Sequence, residues 1–318
     1  MKNNLLGASG IEVSPVGFGV LPVGRAQLNY SVEKGAALIR YALEKGVDFL
    51  DTAQCYETYP YIKEALKNSP HSPVVASKCL RHSYDEMKSA VEEARTEMNL
   101  DVIDIFMLHE VRGEADWESR SGAWEYLLEA KSRGIVKAVG VSTHHVDTAL
   151  LCAGIPEIDI LFPLINYKSL GIRKGDGQGT CEEMAKAIEI NADAGKGVFA
   201  MKVFGGGNLT GDYFAAMDYV YNLPGIASLM IGFSDYHEID RAVEYAKGTI
   251  DRNYVPEISK KRIVIDQGDC EGCGTCAKRC PNMAIKGNSR GLYEIDYSLC
   301  LTCGYCSPVC PVCGIIMY

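Results

Sequence analysis

A chain of 318 residues can bury one large core and a small second one, and 47% hydrophobic with 23% charged residues is the balance of a globular protein rather than a disordered or fibrous one. The net charge of −9 speaks against a nucleic-acid partner, whose phosphates call for a basic face. The opening MKNNLLGASGIEV lacks the apolar core of a signal peptide, and no stretch approaches the roughly twenty apolar residues of a membrane span, so a cytoplasmic protein without a membrane partner is expected.

Residues 3 to 15 read as a hairpin, with Leu5-Leu6 and Ile11 to Val13 flanking the turn-rich Ala8-Ser9-Gly10. Eight short apolar or β-branched runs follow: Val16–Val20, Val47–Leu50, Val74–Ala76, Ile103–Leu108, Val136–Val141, Ile158–Leu161, Val198–Met201 and Leu229–Ile231. Segments of helical period separate them. Ser31 opens one in which Val32, Ala36, Ile39 and Leu43 share a face and Gly46 is the stop; Ser83 with Glu86 forms a capping box for another. Further helices are predicted near 58–68, 117–133, 145–153, 180–194, 212–222 and 236–247. Strand–helix alternation over residues 1–250, with no G-x-G-x-x-G after the first strand, predicts an α/β fold of the (β/α)8 TIM-barrel type rather than a doubly wound sheet. Residues 251–262, polar and carrying a proline, read as a linker into a small α+β domain over 263–318.

In such barrels chemistry gathers where strands end. That face offers Asp51 after the second strand, Tyr56 in the following loop, Lys78 after the third and His109 after the fourth. Together they make an acid site. A tyrosine near pKa 10 donates poorly at neutral pH unless a cation steadies its phenolate, which Lys78 would supply with Asp51 holding the ammonium. His109 would orient a substrate oxygen. Lys202 ends the seventh strand and points at the mouth, and Gly205-Gly206-Gly207 beyond it reads as a phosphate cradle or a flexible turn. Arg173 and Lys174 in the loop 171–180, like the loop 110–122, read mainly as solvated surface, and Trp124 as core. Cys55, Cys79, Cys152 and Cys181 share no ligand spacing and read as small buried hydrophobes.

The tail carries two runs, CEGCGTCAKRCP from Cys270 and CLTCGYCSPVCP from Cys300, each spaced C-x2-C-x2-C-x3-C-P. That is the pattern of bacterial ferredoxins, in which three close thiolates grip one iron–sulfur cube and the fourth crosses to the other. The first site is then Cys270, Cys273, Cys276 and Cys310, and the second Cys300, Cys303, Cys306 and Cys280. Zinc would leave the third step and the proline without a role. The same offset relates Ile265-Asp266 to Ile295-Asp296, Pro281 to Pro311 and Ile285 to Ile315, an internal duplication. Cys313 is left over and reads as a buried filler. Two 4Fe-4S clusters are expected.

The stretches DTAQCYETYPYIKEAL, VVASK, DIFMLHE and KAVGVSTH resemble the aldo/keto reductase superfamily, specifically members with a fused ferredoxin-like tail. The resemblance implies Asp51, Tyr56, Lys78 and His109 as a catalytic tetrad, with Tyr56 protonating a carbonyl oxygen as hydride reaches its carbon, and a reduced NADP or NAD lying across the mouth. It places Ser142, Thr143, Lys202, the Gly205–Gly207 loop and Ser234 beside that cofactor. The chain departs from the family there: Thr143 stands for Asn, Phe162 for Gln, Met201 for a stacking Tyr, and Phe233, Arg241 and Ala242 for the usual Lys and Glu-Asn pair. The expected function is carbonyl–alcohol interconversion on a small molecule, linked through the clusters to electron transfer. The alternative is an electron-transfer protein or one-electron reductase fed by a redox partner protein, without nicotinamide.

Overall fold

The computed structural model describes residues 1–25, 27–207, 209–257, 263–265, 267, 270–307, 309–310 and 315–317. After a hairpin of β1 (Asn4–Leu5) and β2 (Glu12–Val13), the apolar runs become β3 (Val16–Gly19), β4 (Phe49–Asp51), β5 (Val74–Cys79), β6 (Ile103–Leu108), β7 (Val136–Thr143) and β8 (Ile160–Pro163). A two-residue pair, β9 (Arg173–Lys174) with β10 (Gly177–Gln178), precedes β11 (Gly197–Ala200) and β12 (Ile226–Ile231). The two-residue pair was not foreseen in the sequence. Strands β3 to β8, β11 and β12 close into one barrel in which every pair is parallel, β12 meeting β3 with Leu229 opposite Val16. Parallel neighbours require crossovers, which the intervening helices provide.

Helix starts follow local chemistry. Ser31 accepts from the Lys34 N–H at the start of α1 (Val32–Glu44). Ser83 and Glu86 form the expected capping box before the helix Tyr84–Met98, and Thr180 and Glu183 form another before Cys181–Asp193. The second barrel strand begins later than its apolar run, because the Val47 N–H is still bonded to the Ala42 carbonyl (2.9 Å) in the turn that ends α1. The helix expected over 117–133 is two, Glu114–Ser119 and Ser121–Ser132, divided at Arg120. There the guanidinium is held by Asp116 and donates to the His109 carbonyl at 2.8 Å. No helix among the described residues is long and apolar enough to cross a membrane.

Inside the barrel, Phe199 meets Phe49 edge to face at 4.8 Å and stacks on Phe162 at 4.1 Å, and Leu6, Ile11 and Val13 of the hairpin close the amino-terminal end beneath them. A larger apolar layer joins strands to helices. The interior is therefore packed, which leaves the carboxyl end as the place for polar groups.

The tail folds as the duplication implies. β13 (Ile263–Ile265) pairs antiparallel with β16 (Ile315–Met317), and β14 (Ile285–Gly287) pairs with β15 (Tyr293–Ile295). The offset that carries residues 263–265 onto 293–295 also carries 285–287 onto 315–317, so each ribbon takes its two strands from opposite halves. The crossed ligand sets expected from the spacing would be the side-chain counterpart of this exchange. Of the repeat positions, Asp266 and Pro311 lie outside the described residues, as do Cys313 and residues 258–262 of the expected linker. Residues 251–257 lie along the barrel, with Tyr254 against Tyr213 at 5.3 Å.

Packing in the barrel wall is tight enough to test. A Cβ on Gly140 of β7 would overlap the Ile160 carbonyl oxygen and approach its Cβ to 2.8 Å, and both belong to the neighbouring strand β8. Gly140→Ala is expected to cost about 2 kcal/mol of stability by forcing the two strands apart, read as a lowered urea midpoint with unchanged slope.

Candidate active site at the barrel mouth

Asp51 is the last residue of β4, Lys78 lies at the end of β5 and His109 follows β6, so parallel register delivers all three to one rim. Tyr56 arrives on a single 3-10 turn, Gln54–Tyr56. The Lys78 ammonium donates to Asp51 Oδ1 at 2.6 Å and to the Thr52 carbonyl at 2.8 Å, with Lys78 1% and Asp51 5% exposed. It lies 5.0 Å from the Tyr56 ring centroid, and the Tyr56 and His109 rings meet edge to face at 5.6 Å. The structure thus brings the four residues together.

It differs from expectation in how they are wired. The Tyr56 hydroxyl is bonded not to Lys78 but to the hydroxyl of Tyr305, 3.0 Å away, a residue of the cysteine-rich domain. Burial first, then Tyr305 and Asp51, push the Tyr56 phenol well above its ordinary value, because desolvation of a phenolate here outweighs a cation already committed to a carboxylate. Burial likewise lowers Lys78 and raises Asp51, and their mutual attraction opposes both shifts. His109 is held well below the usual histidine range by burial and by the Lys78 and Arg279 cations, so its ring is neutral. The Cys55 Sγ lies 3.7 Å from Nδ1. A thiol donating there leaves the proton on Nε2, facing the mouth. Cys79, Cys152 and Cys181 are buried as expected, whereas Cys55 is an exposed residue with this partner.

A cavity of about 310 Å³ opens from Asp51 and Tyr56, passes Phe162, Met201 and Lys202, and reaches Ser234 and Arg241 on one side and Cys303 on the other. Ser142 and Thr143 are not among its walls. Ser142 Oγ accepts from the Glu110 N–H (2.9 Å) and Thr143 Oγ1 donates to the Val111 carbonyl (2.7 Å), so both hydroxyls serve the loop after β6. Both donors of Ser234 are taken by Glu238, at 2.6 and 2.9 Å. Gly206 and Gly207 line the cavity, but a Cβ on Gly206, whose φ is +69°, would fall on the Leu301 carbonyl, and Thr302 Oγ1 donates to the Gly206 carbonyl. This loop therefore seats the cysteine-rich domain as well as bordering the cavity. Gln27 Nε2 donating to the Cys303 carbonyl (3.3 Å) and Arg279 paired with buried Glu110 (3.5 Å) complete the seat.

Cys280, Cys300, Cys303 and Cys306 line one small void with Ile263, Ile285 and Ile295. That is the crossed set read from the spacing, four soft sulfurs in an apolar shell, a donor set that suits an iron–sulfur cube. Cys270 and Cys273 lie close enough to Cys276 to oppose its ionisation, and Cys310 packs on the same core.

Sequence reasoning missed Tyr305, Arg279 and Glu110. Tyr305 was visible only as a break in the internal repeat, since its counterpart in the first half is Thr275. The buried pair makes a measurable claim: Asp51→Ala leaves an ammonium with one carbonyl partner and is expected to cost about 3 to 5 kcal/mol by urea unfolding. Adding Lys78→Met should restore part of the loss, and additive effects would contradict the pairing.

The pattern described as the Aldo/keto reductase family matches residues 15–215, and that described as the 4Fe-4S binding domain matches residues 263–286. Similar proteins include the oxidoreductase YqkF of Bacillus subtilis, 26% identical over 45% of this chain and 49% of its own length. Pyridoxal reductase, chloroplastic, from Arabidopsis thaliana is 24% identical over 71% of this chain and 68% of its own. Methylglyoxal reductase DkgA from Salmonella typhimurium is 26% identical over 54% and 64%. The chain spans about half the length of the first of these curated relatives. Among solved structures, a Pseudomonas aeruginosa protein classed with the aldo-keto reductases superposes with a TM-score of 0.67 at 22% identity, over 78% of this chain and 96% of the other, a likeness of fold. With the family pattern covering more than half its length, the chain belongs to the aldo/keto reductase family and carries a C-terminal 4Fe-4S binding domain.

Proposed function

We propose that this oxidoreductase interconverts a small-molecule carbonyl and its alcohol, with Tyr56 as general acid and base, and that two 4Fe-4S clusters link the reaction to electron transfer. In this reading residues 1–250 form the barrel, 251–262 the linker and 263–318 the cluster domain. The observation that carries it is that Asp51 and Tyr56 border a cavity that also touches Cys303, with Lys78 paired to Asp51 and the His109 ring edge-on to Tyr56 beside them. The neutral His109 orients a carbonyl oxygen through Nε2–H, and Tyr56 delivers its proton to that oxygen as charge develops there. Lys78, fixed by Asp51, lowers the cost of the resulting phenolate once the substrate oxygen is its neighbour. The names of the relatives recommend small aldehydes as first substrates.

The cavity fits an extended polar cofactor. Tyr213 Oη and Arg241 Nε border it, are buried, and have no hydrogen-bond partner among the described residues. In this proposal Lys202, the Gly206–Gly207 backbone, Tyr213 and Arg241 hold a reduced nicotinamide, which supplies hydride when bound; Ser142, Thr143 and Ser234 are already engaged elsewhere. Cys270, Cys273, Cys276 and Cys310 hold one cluster and Cys300, Cys303, Cys306 and Cys280 the other, each carrying single electrons. The contact of the cavity with Cys303 also supports the second reading, in which a redox partner feeds the site and nicotinamide has no part.

Two measurements test these statements. Tyr56→Phe is expected to lower anaerobic aldehyde turnover by at least about a hundredfold with the cluster absorbance unchanged; full activity would remove Tyr56 from the mechanism. Titrating the anaerobic protein with NADH and with NADPH should alter nicotinamide fluorescence and bleach the clusters. No response to either, with bleaching by reduced ferredoxin, would favour the partner-fed reading.

A further inference from the structure

A phenol from the cysteine-rich tail stands at the mouth between two catalytic candidates. The Tyr305 hydroxyl lies 3.0 Å from that of Tyr56 and 3.5 Å from His109 Nε2, although Tyr305 belongs to the cluster domain. Two donors converging on one point define an oxygen site. Here that point is filled by a phenol from the neighbouring domain. The residue is 8% exposed, its ring lies nearly parallel to that of Tyr56, and it is flanked by the Lys202 ammonium at 5.4 Å and the Arg279 guanidinium at 5.2 Å. Ala53, Tyr56 and Tyr305 form a small apolar cluster of their own, with Leu21 and Cys303 packed against it.

We propose that Tyr305 is a specificity-determining residue of the carbonyl site: its phenol holds the oxygen-binding point between Tyr56 and His109, and a substrate oxygen binds by taking that place. This rests on the reading of Tyr56 and His109 given above. A substrate must compete with an intramolecular hydroxyl and with the ring behind it, so the intact protein favours small, strongly accepting carbonyls such as short aldehydes over bulky ones. Tyr305 also lies on the turn between Cys303 and Cys306, next to Gly304 with φ +81°. The ring and these two cysteines therefore share one short turn. By linkage, whatever substrate occupancy does to that turn, the state of the turn does to substrate affinity. The role is one of occupancy and hydrogen bonding; no electron is routed through the phenol.

Tyr305→Phe keeps the ring and removes the hydroxyl, whereas Tyr305→Ala empties the space. With propanal as probe, KM is expected to fall about fivefold in Tyr305→Phe, since one competing hydrogen bond is gone, and kcat/KM to rise with it. In Tyr305→Ala the gain should extend to benzaldehyde, whose ring takes the vacated volume. The electron paramagnetic resonance spectrum of the dithionite-reduced intact protein should change when propan-1-ol is added without nicotinamide, and should not change in Tyr305→Ala. Iron per chain is measured for each variant, and if the alanine variant loses iron, Tyr305→Phe and the spectrum of the intact protein decide. An unchanged KM in Tyr305→Phe with a spectrum insensitive to alcohol would overturn the proposal. So would a tenfold loss of kcat at constant KM, which would make the hydroxyl a proton carrier. Tyr56→Phe assayed alongside separates the two levels: if it is active, the mechanism itself fails; if it is inactive while Tyr305→Phe is indifferent, only the present proposal fails.

Discussion

A barrel of eight parallel strands with an apolar, filled interior has one end where polar side chains can meet, and in this protein that end is roofed by the cysteine-rich tail. The Gly206 backbone beneath Leu301 and Thr302 sets how closely the roof can approach. Everything at the mouth follows from that approach. It buries Tyr56 and His109, closes the cavity from the side of Cys303, and places a domain-crossing phenol at the centre of the site.

Desolvation is the electrostatic consequence. A lysine, an aspartate, a histidine and two tyrosines share a volume with little access to water, so each group drifts towards its neutral form unless a partner holds it charged. The Asp51–Lys78 contact at 2.6 Å is the one strong pairing among them. It spends the ammonium on a carboxylate, which is why Tyr56 in this arrangement is a reluctant acid. On the proposed mechanism, activation waits for an oxygen that accepts from Tyr56 and carries developing charge, so the site is tuned to the reaction rather than to the resting protein.

The duplicated tail obeys a different constraint. Each half supplies one strand to each ribbon, and the four cysteines gathered around one void likewise come from both halves. Two of the positions where the halves differ face the barrel. Tyr305 and Arg279 both contact the mouth, while their repeat counterparts Thr275 and Val309 do not share those contacts. An internal symmetry used for metal binding has been broken on the side that meets the barrel.

Much was legible from the chain alone, because the signals are local or strictly periodic. Alternating strand and helix patterns announce a parallel barrel, capping boxes such as Ser83 with Glu86 mark helix starts, parallel strand ends gather Asp51, Lys78 and His109, and cysteine spacing groups the four sulfurs that the structure brings around one void. What the chain did not reveal depends on distances between residues far apart in sequence. Only the tertiary structure assigned the hydroxyls of Ser142 and Thr143 to a neighbouring loop, turned Gly206 into a seat for Leu301, and set Tyr305 against Tyr56, 249 residues away. Spacing constrains neighbours along a strand or helix, but it carries no information about which surface a second domain will bury, and that burial decided the protonation states at the site.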